Sequence, residues 1–143
     1  MKFKEIISTK DEYEFCYNLL LYDYNLPEDI KERCYEILLR NIKWAYFLRR
    51  DVKDLTEHMK RRGELKLCED PEWAFYLRLN VKDLPEDIKR KAEEKCLENP
   101  VWAYNLRADV KDLPEDVKRR AEKKCLEDIY WAYLLRRDIK DLT

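Results

Sequence analysis

One glycine and one histidine in 143 residues remove several classes of function at once. A loop that cradles phosphate needs glycines where the backbone turns and approaches its ligand, and Gly63 stands alone. His58 by itself can build neither a His-based catalytic triad nor a His-rich metal site. Five prolines and a single glycine are too few turn formers for a strand-dense fold. No stretch has the about 18 uninterrupted apolar residues of a membrane-spanning helix. The opening MKFKEIISTKDEYEF lacks the apolar segment and small-residue cleavage site of a secretory signal. No membrane contact and a cytoplasmic location are therefore expected. Neither sign of charge prevails: 30 Lys and Arg face 31 Asp and Glu, for a net charge of -1. A surface devoted wholly to nucleic acid or acidic lipid would carry a basic excess. What the chain does have is 45% hydrophobic and 13% aromatic residues, enough to build a core.

Trp44, Trp73, Trp102 and Trp131 recur every 29 residues. The segments WAYFLRRDVKDLTE, WAFYLRLNVKDLPE, WAYNLRADVKDLPE and WAYLLRRDIKDLT align without a gap, and FCYNLLLYDYNLPE from Phe15 is a decayed copy. Self-similarity at such a period marks a stacked array. Each unit reads as two short helices. Asp70-Pro71 or Asn99-Pro100 opens the first, a capping residue followed by proline in the first turn. Its apolar stripe is Trp73, Ala74, Leu77 and Val81. Asp83 and Glu86 have the spacing of a capping box for the second helix, whose stripe is Leu84, Ile88, Ala92, Cys96 and Leu97. In the copy where Thr56 replaces the proline, Asp54 and Glu57 keep that spacing. Thr9 and Glu12 would cap the first helix near Lys10.

Two helices this short cannot bury their stripes alone, so neighbouring units must share a core. The expected fold class is all-α: an α-solenoid of 29-residue two-helix repeats in about four and a half copies. It forms a single domain over 1–143, with an N-terminal cap at 1–14 and repeats at 15–43, 44–72, 73–101 and 102–130. A partial repeat follows at 131–143. By register all five cysteines occupy small or apolar slots, and no Cys-x-x-Cys pair occurs. They are expected to be reduced and buried rather than catalytic or metal-binding.

The two-helix unit resembles the short-repeat α-solenoids of the HEAT-like class, with a shorter period. It is more similar to the aromatic-Ala-Tyr helical repeats of uncharacterised bacterial and phage proteins. Asp70, Pro71, Trp73, Ala74, Phe75, Val81, Pro85 and Glu86, with their copies, carry the resemblance over nearly the whole chain from Phe15. The connecting DLPED segment departs from that pattern. The resemblance implies a fold and no activity.

Three slots fixed in every full copy lie at i, i+3 and i+7 on one helix face. They are Tyr46, Arg49 and Lys53; Phe75, Arg78 and Lys82; Tyr104, Arg107 and Lys111; Tyr133, Arg136 and Lys140. Stacked units would align them into an aromatic and basic ladder suited to a phosphate backbone and its bases. Alternatively, the rings pack between units and the cations pair with carboxylates. Slots that vary from copy to copy include Phe47, Tyr76, Leu79 and Leu134, apolar where solvent is expected, which suggests a face for a partner protein. The last helix, Ile129 to Lys140, is as apolar as internal ones. Leu134 and Leu135 there are expected to meet a second copy or another protein. The carboxylates recur in every copy, whereas catalytic sites are singular. The expectation is a non-enzymatic protein-binding scaffold, adaptor or inhibitor without cofactor or metal; the alternative is a nucleic-acid binder using the ladder.

Overall fold

The computed structural model describes residues 12–143, so the Thr9 cap and most of the 1–14 segment lie outside the described residues. Among the described residues there are nine α-helices and no strand. They are α1 (Glu12–Tyr22), α2 (Glu28–Leu38), α3 (Ile42–Asp51), α4 (Glu57–Leu67), α5 (Pro71–Asn80), α6 (Glu86–Cys96), α7 (Pro100–Asp109), α8 (Glu115–Cys125) and α9 (Ile129–Asp138). The chain divides into two compact units, Met1–Leu67 and Cys68–Thr143.

The odd-numbered helices from α3 onward begin as the capping residues dictate. Asp70 accepts from the backbone N–H of Glu72 at 3.0 Å and of Trp73 at 3.3 Å, with Pro71 in the first turn. Asn41, Asn99 and Asp128 do the same work for α3, α7 and α9. Each of these helices ends at a β-branched residue: Val52, Val81, Val110 or Ile139. That residue leaves helical geometry, with ψ between 109 and 115°, yet its N–H still returns to the carbonyl four residues back. Its side chain is buried, so the terminating residue also serves the core.

The starts of α2, α6 and α8 depart from the expected capping box. Their N-cap is Pro27, Pro85 or Pro114, at φ near -61° and ψ near 150°, without a side-chain cap bond. Proline lacks the N–H and its fixed φ suits an extended residue, so the helix opens one residue later. Where Thr56 stands instead, its hydroxyl accepts from Met59 N–H at 3.2 Å and caps α4.

In the second unit α5 packs on α6 and α7 on α8, while α7 also packs on α5 and α9. Ala74, Phe75, Ala92, Cys96, Ala103, Leu106, Val110, Val117, Ala121, Cys125 and Leu135 belong to one core there. In the first unit α1 packs on α2 and α3, and α3 on α4. Cys16, Cys34, Leu38, Ala45, Leu48 and Leu67 are fully or almost fully buried. The stripes expected at Leu77, Val81, Leu84, Ile88, Ala92 and Leu97 are all inside. A fully buried Leu or Ile contributes about 1.5–3 kcal/mol relative to exposure.

Candidate functional site

The fixed aromatic and basic slots do not form an open ladder. Arg49, Arg78 and Arg107 are only 4–6% exposed. Each donates through Nε to a buried glutamate fifteen residues on, in the helix that follows. The distances are 2.7 Å for Arg49–Glu64, 2.8 Å for Arg78–Glu93 and 2.8 Å for Arg107–Glu122. In the second unit the guanidinium also reaches thirty-four residues forward. Arg78 Nη1 lies 3.1 Å from the Asp112 carboxylate. Arg107 Nη2 donates to the Asp141 carbonyl at 2.9 Å and sits 3.3 Å from its carboxylate. One arginine thus joins both helices of its copy to the loop of the next. A cation held this way cannot turn to a phosphate, because its carboxylate partner would be left buried and unpaired.

The rings are engaged in the same manner. Phe75 meets Trp102 at 5.6 Å between centroids, and Tyr104 meets Trp131 at 5.3 Å. The Tyr104 hydroxyl donates to Asp138 at 2.5 Å. Burial, followed by that bond, pushes its phenol up to about 12, so it remains a neutral donor. In the first unit Tyr17 packs on Trp44 and Phe47 and donates to Asp51. Tyr46 is buried and lies against Phe47. The sequence motif therefore describes the joint between successive odd-numbered helices within each unit. It is not a row of stacking platforms for bases.

The lysines are the part of the ladder that stays outside: Lys53, Lys82, Lys111 and Lys140 are exposed. Lys82 and Lys111 donate to the carbonyls of Leu79 and Ala108 at the ends of α5 and α7, at 3.2 and 3.0 Å. Cations there satisfy free carbonyls and offset the negative helix end. Between these ends lie shallow pockets of about 290 Å³, lined by Arg78, Leu79, Lys82, Lys89, Lys111 and Asp112 among others, and about 280 Å³, lined by Arg107, Lys111, Lys118, Lys140 and Asp141 among others.

The expected partner-binding residues are also more enclosed than the sequence suggests. Tyr76 contacts the rings of Trp73, Phe75 and Trp102, and Leu79 packs against the same core. Phe47 is half-buried among Tyr17, Trp44 and Tyr46. Leu135 is 2% exposed and belongs to the core, whereas Leu134 is half-buried. The apolar exposure here comes from other residues: Leu126 at the end of α8, at 52%, and Ile129 at 89%, Tyr130 at 60% and Tyr133 at 61% on α9. Their counterparts one copy earlier show why. Leu97 is 8% exposed, and Tyr104 is half-buried against Trp131. Arg136, which takes the slot of the buried arginines, is exposed.

Sequence reasoning missed the three glutamates. Glu64, Glu93 and Glu122 recur at the 29-residue period, but so do Glu57, Glu86 and Glu115, Lys60, Lys89 and Lys118, and Lys66, Lys95 and Lys124 of the same helices, so recurrence alone did not single them out. The charged face of those helices does carry surface ion pairs, such as Arg120 with Glu94 at 2.5 Å. Burial pushes the Cys96 thiol up to about 12 and the Cys125 thiol up to about 11, which keeps both protonated. Among the described residues no group of three or more His, Cys, Asp or Glu could hold a metal ion. No helix among them is long and apolar enough to cross a membrane. Comparison with protein-family models, with curated proteins and with solved structures returned no match.

Proposed function

We propose that this chain is a non-enzymatic, protein-binding helical-repeat scaffold, with its 29-residue units stacked as an α-solenoid in the cytoplasm. The aromatic-Ala-Tyr resemblance and the recurring Arg–Glu and Arg–Asp joints support the stacking. The exposed apolar face at α9 supports the binding role: Leu126, Ile129, Tyr130 and Tyr133 together exceed the scattered apolar exposure ordinary for a surface. Another protein, or a second copy of this chain, is the partner that such a face fits. Two exposed positions provide the test, because Leu135 packs inward and Leu134 is half-buried. Wild type and a Tyr130→Glu/Tyr133→Glu variant would be compared by light scattering at rising concentration, with helicity and Tm recorded for both. Association of wild type, lost in an equally folded variant, is the expected result. A wild type that stays monomeric throughout removes self-association. If the variant then also loses no binding to a partner captured by wild type, the α9 reading is wrong.

The nucleic-acid alternative rests on the exposed lysines alone. It would show as binding that falls steeply with salt, which an apolar protein interface would not.

A further inference from the structure

α9 packs on α7 and α8, and its opposite side is open. At about 100° per residue, Ile129, Tyr130, Tyr133 and Arg136 fall within about 120° of arc on that side. All four are exposed. The preceding copy shows what such a side accepts. Tyr104 lays its ring on Trp131, 5.3 Å between centroids, and Arg107 meets the Asp141 carboxylate at 3.3 Å. The equivalent slots of α9 therefore suit a ring against Tyr133 and a carboxylate against Arg136. Among the described residues no carboxylate pairs with Arg136. α9 turned end for end carries both groups. Arg136 lies three residues after Tyr133, and Glu127 lies three residues before Tyr130. The chain is acidic where it enters this helix, at Glu127 and Asp128, and basic in the last turn, at Arg136 and Arg137.

We propose that α9 is a two-fold interface on which a second copy of this chain lays its own α9 antiparallel. The inference rests on reading this face as a protein-binding surface, and it names the partner and the register. With the axis between Trp131 and Ala132, Tyr133 of each copy meets Tyr130 of the other, and Arg136 meets Glu127. A two-fold contact presents one patch to itself, so each of these pairs forms twice. Ring meets ring, as in the internal joints, and opposite charges meet at both ends. Glu127 is held only by Lys124, at 3.3 Å on the surface, a pair that costs little to exchange. The α1 end of another copy suits this face less. Asp138 and Asp141 receive Tyr104 and Arg107, but their slots in the first copy hold Tyr22 and Asn25. A head-to-tail stack would thus offer Tyr133 and Arg136 no carboxylate there. It would also keep growing, whereas the two-fold contact closes at two chains.

The test follows the mass of the full chain by light scattering at rising concentration, with far-UV helicity recorded for every variant. Wild type should approach the mass of two chains and grow no further. Arg136→Glu and Glu127→Arg each set like charges face to face at both contacts, and each should weaken pairing by about tenfold or more. Mixing the two variants should restore it, because the acidic positions of one chain then meet the basic positions of the other. Recovery in the mixture also shows that both variants are folded. Growth beyond two chains, pairing indifferent to both charge changes, or a mixture no better than its components would overturn the proposal. A dimer that Tyr130→Glu/Tyr133→Glu dissociates but the charge variants leave intact keeps the face and removes the antiparallel register. A wild type that stays monomeric overturns the pairing, while the protein-binding reading keeps its own test on another partner.

Discussion

In the α3–α4 pair Arg49 and Glu64 make a buried ion pair at 2.7 Å, whereas the same positions of the α1–α2 pair hold Leu20 and Tyr35. Tyr35 is 3% exposed, so the slot is equally closed in both copies. The forward contact changes hands as well. Asp112 and Asp141 face the buried arginines of the preceding copy, while Asp54, their counterpart, is held by Lys31 of α2 at 3.1 Å. The copies therefore share a backbone solution but not its chemistry. Two charges buried together lose hydration that their attraction only partly returns, so an apolar pair can replace them without loss of the fold. What the arginine adds is reach: one side chain bonds the next helix of its own copy and the loop of the following one.

That contrast breaks most sharply in the second unit. Arg78→Leu alone leaves Glu93 buried without its main partner and should cost about 3–5 kcal/mol of unfolding free energy in urea. Adding Glu93→Tyr, which transplants the first-copy solution, should recover most of that loss, to within about 1 kcal/mol of wild type. A double variant no more stable than the single one would mean that the ion pair is indispensable and the comparison false. A smaller effect of opposite sign is expected at Gly63. Its slot holds alanine in the two later copies, and an added Cβ would meet neighbours at 3.8–4.0 Å, ordinary contact distance. Gly63→Ala should therefore raise stability by about 0.5–1 kcal/mol, the usual gain at a helix interior. A loss would show that this joint is tighter than the others.

The smallest effect sharpens the comparison between adjacent copies. Glu93 and Glu122 occupy equivalent slots, but burial raises Glu93 above 4.5 whereas Glu122 is lowered. Burial opposes ionisation of Glu122 too. Bonds from Thr143, at 3.2 Å from its N–H and 2.5 Å from its hydroxyl, and from Arg107 outweigh it. A lowered carboxylate gives stability that is present above its unfolded pKa and lost as pH falls through the folded one. A raised one gives stability that is fully present below its unfolded pKa and lost as pH rises through the folded one. Carboxyl NMR titration should find the two midpoints on opposite sides of 4.5. Midpoints that coincide would mean that Thr143 does not act on Glu122.

The sequence by itself determined whatever is local or periodic in this protein. Helix type followed from stripes such as Leu84, Ile88, Ala92 and Cys96, because apolar spacing near 3.6 residues leaves one face to bury. The starts at Asp70 and Asn99 followed from a side chain that satisfies nearby N–H groups, a bond that needs no tertiary partner. Tertiary structure decided what each face meets. Tyr104, Arg107 and Lys111 share a face by spacing, yet only packing buried the arginine and left the lysine outside. The glutamate fifteen residues on and the aspartate thirty-four residues on become neighbours of that arginine through helix packing, which no local pattern encodes. Leu135 and Tyr133 are two residues apart on one turn of α9. One is enclosed and the other open, because a helix has more than one side and its neighbours determine which are covered.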